Sequence, residues 1–181
     1  MLRQLIMAIV VGTSLLSIDS TSAIEIVDRD RLNPPSTFEL QQKSNQKANY
    51  EDYRQELLES INNVRRERGL ASLEFSDDLA LAAQKHVQDL TANNFFSHTG
   101  SDGSTVADRV LAIGYDYSSV GENVAAGKRT PEKVFRQWMN SPGHKDNMLG
   151  SDFTEAGIGY VLDASDTTYN HYWVLVLGKE F

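Results

Sequence analysis

The chain has 181 residues, a formal net charge of −8 and no cysteine. That length suffices for one domain with a real core, and the missing thiols exclude disulfides, thiolate metal sites and cysteine nucleophiles. The acidity speaks against nucleic acid as a partner, because phosphate binding relies on basic patches, and it is otherwise the charge of an ordinary solvated surface.

The chain opens Met1-Leu2-Arg3, followed by an apolar run from Leu5 to Val11 that Leu15 and Leu16 extend, and then small polar residues ending Thr21-Ser22-Ala23. A basic start, a short apolar stretch and a small-residue site are the pattern of a secretory signal peptide, here 1–23. The apolar part is shorter than the roughly 20 residues that span a bilayer. The expectation is an exported protein, extracellular or periplasmic and not membrane-spanning. Export without disulfides fits a bacterial source better than an animal one. Residues 24–48 are polar and mixed in charge, with Pro34-Pro35 and the run from Gln41 to Lys47. They read as a linker or loosely attached arm, which leaves 49–181 as the folded domain.

The first helix is expected from about Tyr50 to Arg68, with Tyr53, Leu57, Ile61 and Val64 on one face. Arg65, Arg66, Glu67 and Arg68 form its solvated end, Gly69 stops it, and Leu70 and Leu73 pack back. Ser76-Asp77-Asp78 caps a second helix reaching about Ala92, with Leu79, Ala83, His86 and Leu90 inward. His86 on that apolar stripe reads as a hydrogen-bonded core histidine. Phe95-Phe96 anchors the loop that carries His98. A third helix follows Ser104 or Thr105 and ends at Gly114, and Tyr115 and Tyr117 read as packing residues.

Val120 to Ala126 reads as a short strand or extended segment ending at Gly127, and Thr130-Pro131 starts a fourth helix that buries Val134, Phe135 and Trp138. Pro142-Gly143 then makes a rigid corner presenting His144. Ala156–Leu162 and Tyr172–Leu177 read as strands, the second apolar enough to be covered on both faces. Helices first and strands last, without regular alternation, indicate an α+β arrangement.

The chemistry on offer is two histidines and a glutamate, His98, Glu122 and His144, each expected on a loop beside a helix. Two imidazoles, a carboxylate and a water make an open site of zinc type, although the three lie far apart and lack a His-Glu-x-x-His pairing. Serine hydrolysis through Ser97 or Ser141 would need a histidine base and an orienting group, and there is no Gly-x-Ser-x-Gly elbow.

Four ordered motifs sharpen this reading. Phe96-Ser97-His98, Gly121-Glu122-Asn123-Val124-Ala125, Trp138-Met139-Asn140-Ser141-Pro142-Gly143-His144 and Gly157-Ile158-Gly159-Tyr160 resemble the bacterial branch of the CAP superfamily. That group comprises the cysteine-rich secretory, antigen five and pathogenesis-related class one proteins. Ile61-Asn62-Asn63-Val64-Arg65 and Tyr172-Trp173-Val174 are also similar, so the resemblance runs from about Tyr50 to Phe181.

The resemblance implies a three-layer α-β-α sandwich with a central, mostly antiparallel sheet and a cleft floored by a His/Glu tetrad. His98, Glu122 and His144 match three of its members; the second glutamate of many eukaryotic relatives falls at Ser141 here. Losing one carboxylate lowers the affinity expected for a dication, whether zinc, calcium or magnesium. Asn123 is expected to fix its loop rather than to orient Glu122. Besides an interaction-only reading in which the His/Glu motifs serve stability, two functions remain open. One is a binding module for a lipid or peptide ligand of the cell envelope, with a divalent metal at the cleft. The other is a metal-assisted peptidase with Glu122 as base or ligand.

Overall fold

The computed structural model describes residues 36–181. The expected signal peptide and residues 24–35 of the expected arm lie outside the described residues. Helix α1 spans Thr37–Glu67, so it begins well before the Tyr50 expected from its apolar face, and residues 37–48 are helical rather than an irregular arm. Its start is a capping box. The Ser36 backbone N–H donates to Glu39 Oε2 at 2.7 Å, and the Glu39 N–H donates back to Ser36 Oγ at 3.2 Å. Phe38 and Leu40 in this first part are exposed. Among the described residues no helix is long and apolar enough to cross a membrane.

After α1 the chain forms β1 (Glu74–Phe75), α2 (Asp77–Ala92), α3 (Val106–Leu111), β2 (Tyr117–Ala126), α4 (Pro131–Met139), α5 (Pro142–Leu149), β3 (Glu155–Leu162) and β4 (His171–Glu180). The sheet order is β1-β3-β4-β2. β4 pairs antiparallel with both β3 and β2, while the short β1 pairs parallel with β3. The expected α+β class holds: helices on both faces of a mostly antiparallel sheet make the α-β-α sandwich.

Side-chain alternation along the strands assigns the layers. Ile158, Tyr160, Trp173, Leu175 and Leu177 pack with Leu57 and Ile61 of α1, Trp138 of α4 and Met148 of α5. Val174 and Val176 pack on the other face with Leu79, Ala83, Val87 and Leu90 of α2 and Val110 of α3. Every side chain from Tyr172 to Leu177 is buried, as the apolar run predicts. Trp138 also donates its indole N–H to the Val124 carbonyl at 3.2 Å, tying α4 to the edge strand β2.

Two features of this packing have no signature in periodicity. Gly157 and Gly159 lie directly against the α2 backbone: a Cβ at Gly157 would sit 1.9 Å from the Ala80 nitrogen, and one at Gly159 2.5 Å from the Ala83 carbonyl carbon. Glycine on the strand and alanine on the helix bring the two backbones together. The second feature corrects an expectation. Arg65 is 1 % exposed, not part of a solvated end. Its guanidinium donates to the carbonyls of Ala71 (2.8 Å), Met148 and Gly150 (both 2.9 Å) and Phe153 (3.2 Å). Met148 and Gly150 close α5, so the buried cation satisfies carbonyls that a helix end leaves unpaired. Burial pushes the Arg65 pKa below its usual value.

Two stability predictions follow from these contacts. Gly157→Ala should destabilise the fold by about 3 kcal/mol, the upper end for overpacking, because backbone must move. Arg65→Met should cost about 3 kcal/mol by stranding several carbonyls. Urea unfolding checks both, and a loss below about 1 kcal/mol in either variant would contradict the packing described.

Candidate functional site

The site is built around β2, an edge strand whose alternating side chains point into different layers. Glu122 shares a face with Val124, toward α2 and α3, and is 7 % exposed. Asn123 is fully buried on the opposite face, toward α5. Glu122 is therefore a strand residue, in keeping with the strand reading of Val120–Ala126 and not with a place on a loop beside a helix.

On the first face, three cationic or titratable groups meet the buried carboxylate. His98 Nδ1–H donates to Glu122 Oε1 at 2.8 Å, and Arg109 Nη2 donates to Oε2 at 2.6 Å. His86 Nε2 lies 3.9 Å from Oε1 but hydrogen-bonds the Ser97 carbonyl at 3.0 Å instead. His86 is thus the hydrogen-bonded core histidine expected, and its bond holds the loop that carries His98. Arg109 contributes more than one contact, donating also to the Ser104 carbonyl (2.9 Å) and the His98 carbonyl (3.2 Å). It comes from α3, whose start is fixed by the Thr105–Asp108 capping box. A buried carboxylate without a cation is costly, and this guanidinium compensates Glu122 directly. Of the two loop phenylalanines, Phe95 packs against the α2–α3 core while Phe96 is 51 % exposed, so one of the pair anchors.

On the second face, the Asn123 side chain donates to the His144 carbonyl at 2.9 Å and accepts from Asn147 Nδ2 at 2.8 Å. Asn147 also donates to the Glu122 carbonyl at 3.1 Å. Asn123 therefore fixes its surroundings, as expected, although what it fixes is a helix. Ser141-Pro142-Gly143-His144 is the first turn of α5, with Ser141 at the cap position and Pro142 starting the helix. The expected rigid corner is corrected accordingly: proline's fixed φ suits a helix start as well as a turn. Ser141 makes no side-chain capping bond. The Asn147 and Trp138 donors cover the outward carbonyls of Glu122 and Val124, which blunts the edge strand against pairing with another chain.

The protonation preferences follow from these surroundings. The hydrogen bond that His98 donates to Glu122 raises its pKa above the usual value, with partial burial and the Arg109 charge opposing. His98 remains open to solvent, with 58 % of its side chain exposed. Burial lowers the His86 pKa, and burial together with the His98 charge lowers that of His144. His144 also faces Trp138, ring centroids 6.4 Å apart, and keeps a buried Nδ1 without a hydrogen-bond partner.

The divalent cation that the sequence resemblance implies does not fit this donor set. Glu122 has both oxygens engaged, one by a guanidinium and one by the N–H of an expected ligand. A dication would have to enter beside the Arg109 charge. Among the described residues, no three His, Cys, Asp or Glu side chains are grouped so that they could hold a metal ion. Arg109, which decides this, carries no local motif; only the tertiary fold brings it to Glu122.

The sequence pattern of the Cysteine-rich secretory protein family, CAP, matches residues 58–177. The Bacillus subtilis (strain 168) protein YkwD is 36% identical over 113 residues, covering 62% of this chain and 44% of YkwD. The chain thus spans less than half the length of that relative. An extracellular protein containing an SCP domain from Bacillus anthracis has a structure similar to this one, with TM-score 0.64 and 26% identity over 72% of this chain and 41% of that one. An outer surface protein of Borrelia burgdorferi superposes with TM-score 0.64 and 25% identity over 70% of this chain and 92% of its own.

The Glu122 contacts give a signed pH dependence. His98, raised in the folded state, adds stability that is complete below its unfolded pKa of about 6.5 and fades as pH rises through its folded value. His86 and His144, lowered, cost stability as pH falls through about 6.5 toward their folded values. In an NMR titration of the ring protons, Glu122→Gln should bring the His98 pKa down and Arg109→Gln should raise it further. An unchanged His98 titration in both variants would contradict the network.

Proposed function

The chain belongs to the cysteine-rich secretory protein (CAP) family, and from that premise we propose that it is an exported binding module without turnover, recognising a peptide of the cell envelope. The single observation that carries this is the double engagement of Glu122. A carboxylate paired with Arg109 at 2.6 Å and with His98 at 2.8 Å is a fixed structural charge. A general base must instead be free to reach its proton, and a metal ligand must have oxygens to give. Metal-assisted hydrolysis would need Arg109 to leave and strand a buried charge. The exposed ring of His98 and the half-buried ring of His144 offer directional polar contacts beside the strand edge, which suit amide and carboxyl groups.

A peptide is favoured over a lipid by the residues around the site. The cavity that shares His86 and Arg109 with it carries charged and hydroxyl-bearing side chains such as Asp89, Ser101 and Asp102 in its wall, which interrupt its apolar surface. An acyl chain needs a continuous apolar lining to leave water. Export is supported by the sequence of 1–23 and by the extracellular and outer-surface descriptions of the two similar structures.

The full chain should bind a subset of synthetic peptides on an array, and His98→Ala combined with His144→Ala should abolish that binding while leaving the peptides uncut. Calorimetric titration with zinc chloride or calcium chloride should give no saturable heat. Peptide cleavage that disappears with a chelator and with Glu122→Gln would overturn the proposal in favour of a metal-assisted peptidase.

A further inference from the structure

A groove lies between the segment that follows α2 and the loop that joins β3 to β4. It holds about 150 Å³ and is walled by Phe95, Phe96, Tyr169 and Tyr172, together with Asn94, Asp166 and Thr168. That volume is below the roughly 300–1,000 Å³ of a whole small-molecule site and suits the end of one side chain. Phe95 and Tyr172 pack into the core on the α2 face of the sheet. Phe96 and Tyr169 are open to solvent, Tyr169 by 47 %. Tyr169 is nevertheless held in place. It meets Tyr172 edge-on with ring centroids 6.2 Å apart, and a Cβ at Gly127 would lie 3.3 Å from its Cδ1. Aromatic rings carry negative potential on their faces, so a groove walled by four of them attracts a cation.

The formal charge in the wall has the same sign. Asp166 lines the groove and also an adjoining space of about 350 Å³, to which Asp163 and Ser165 belong. Among the described residues, the side-chain acceptor oxygens of Asp166 meet neutral donors alone. The Thr168 N–H (2.6 Å) and the Tyr169 N–H (3.3 Å) donate to Oδ1, and the Tyr172 hydroxyl donates to Oδ2. Oδ2 thus keeps a lone-pair position. Asp163 accepts from the Ser165 N–H and hydroxyl. Hydrogen bonds from Tyr172 and from Ser165 hold these two carboxyls below their usual pKa range, so both are ionised at neutral pH. Among the described residues neither has an ion-pair partner, and no lysine, arginine or histidine lines either space. Lys128 and Arg129 follow Gly127 in sequence. Arg129 acts on His171, whose pKa is lowered by burial and then by this charge. The chain as a whole carries −8, which adds a long-range field of the same sign as the wall.

We propose that this groove is a binding site for an organic ammonium, the lysine-type side chain of a bound peptide. The alkyl stem packs on Phe96 and Tyr169, and the ammonium meets the aromatic wall and the remaining lone pair of Asp166. The rings supply cation–π attraction and the carboxylate a charge-assisted hydrogen bond. A neutral apolar side chain would gain the ring contacts and leave the carboxylates without a counter-charge, and an anionic one would be repelled. Phe96 belongs to the same loop as His98, which places the groove beside the surface proposed for the peptide. The inference rests on that reading for the source of the ammonium, whereas the chemistry of the groove does not depend on it.

The test is an NMR titration of the full chain with Nα-acetyl-lysine N-methylamide, using Nα-acetyl-norleucine N-methylamide as the uncharged control. The expected result is a saturable movement of the Phe96 and Tyr169 ring resonances with the lysine derivative, weakened by added salt, and none with the norleucine derivative. Phe96→Leu combined with Tyr169→Leu keeps apolar surface and removes the ring quadrupoles, and should weaken lysine binding about tenfold. Asp166→Asn keeps an acceptor for the Thr168 and Tyr169 N–H groups and should weaken it a few-fold. The His98→Ala, His144→Ala pair should bind the lysine derivative as the wild type does. On the peptide array, exchanging lysine for norleucine should release the bound peptides. Binding of the lysine derivative with no peptide bound would leave the ammonium site standing and overturn the peptide reading. Peptide binding indifferent to that exchange would do the reverse. Unmoved ring resonances, equal binding of the norleucine derivative, or unchanged affinity in the double leucine variant would also overturn the ammonium site.

Discussion

A buried carboxylate on an edge strand sets the terms for the rest of this molecule. Glu122 sits almost out of solvent, where an unpaired charge would cost several kcal/mol. The fold answers with Arg109 from α3 and with His98 from the loop after α2. Each of these must be held in turn, so the requirement spreads outward. Arg109 is placed by the Thr105–Asp108 capping box and by its bond to the Ser104 carbonyl. The His98 loop is held by the bond between Ser97 and the buried His86. One ionic requirement thus links α2, α3 and β2, in addition to the hydrophobic core they share.

The opposite face of the same strand is anchored by neutral hydrogen bonds. Asn123 and Asn147 join β2 to the helix that carries His144, and Arg65 closes the far end of that helix from inside the core. His98 and His144 therefore approach the edge of β2 from two different layers. Burial, and after it the His98 charge, lowers the His144 pKa. The peptide recognition proposed above draws on this arrangement of fixed polar groups. The same arrangement is poorly suited to a reaction that must release Glu122 from its partners.

Much of the fold could be read from the chain. Ser76 before two acids, Thr130 before Pro131 and the apolar run from Tyr172 to Leu177 are local signals, and they match the observed α2 start, α4 start and central strand. The start of α1 was also legible, since Ser36-Thr37-Phe38-Glu39 has the capping-box pattern, but the polar residues after it lack the apolar stripe that marks a buried helix. The Pro142 segment is ambiguous locally, because proline begins helices as readily as it bends chains. The motifs named His98, Glu122 and His144 as one group; His98 bonds the Glu122 carboxylate, while His144 meets the same strand through its backbone carbonyl on Asn123. They did not reveal Arg109, the burial of Arg65 or the glycine–alanine contact between β3 and α2. Those depend on residues distant in sequence, and no local pattern encodes them.

The central claim is that Arg109, rather than a metal ion, is the partner of Glu122. The most direct measurement is a crystal structure of the domain soaked with zinc at neutral pH. The account predicts an intact Arg109–Glu122 pair with no ion bound to the Glu122 carboxylate. An ion coordinated jointly by His98, Glu122 and His144, with the Arg109 guanidinium displaced, would contradict it.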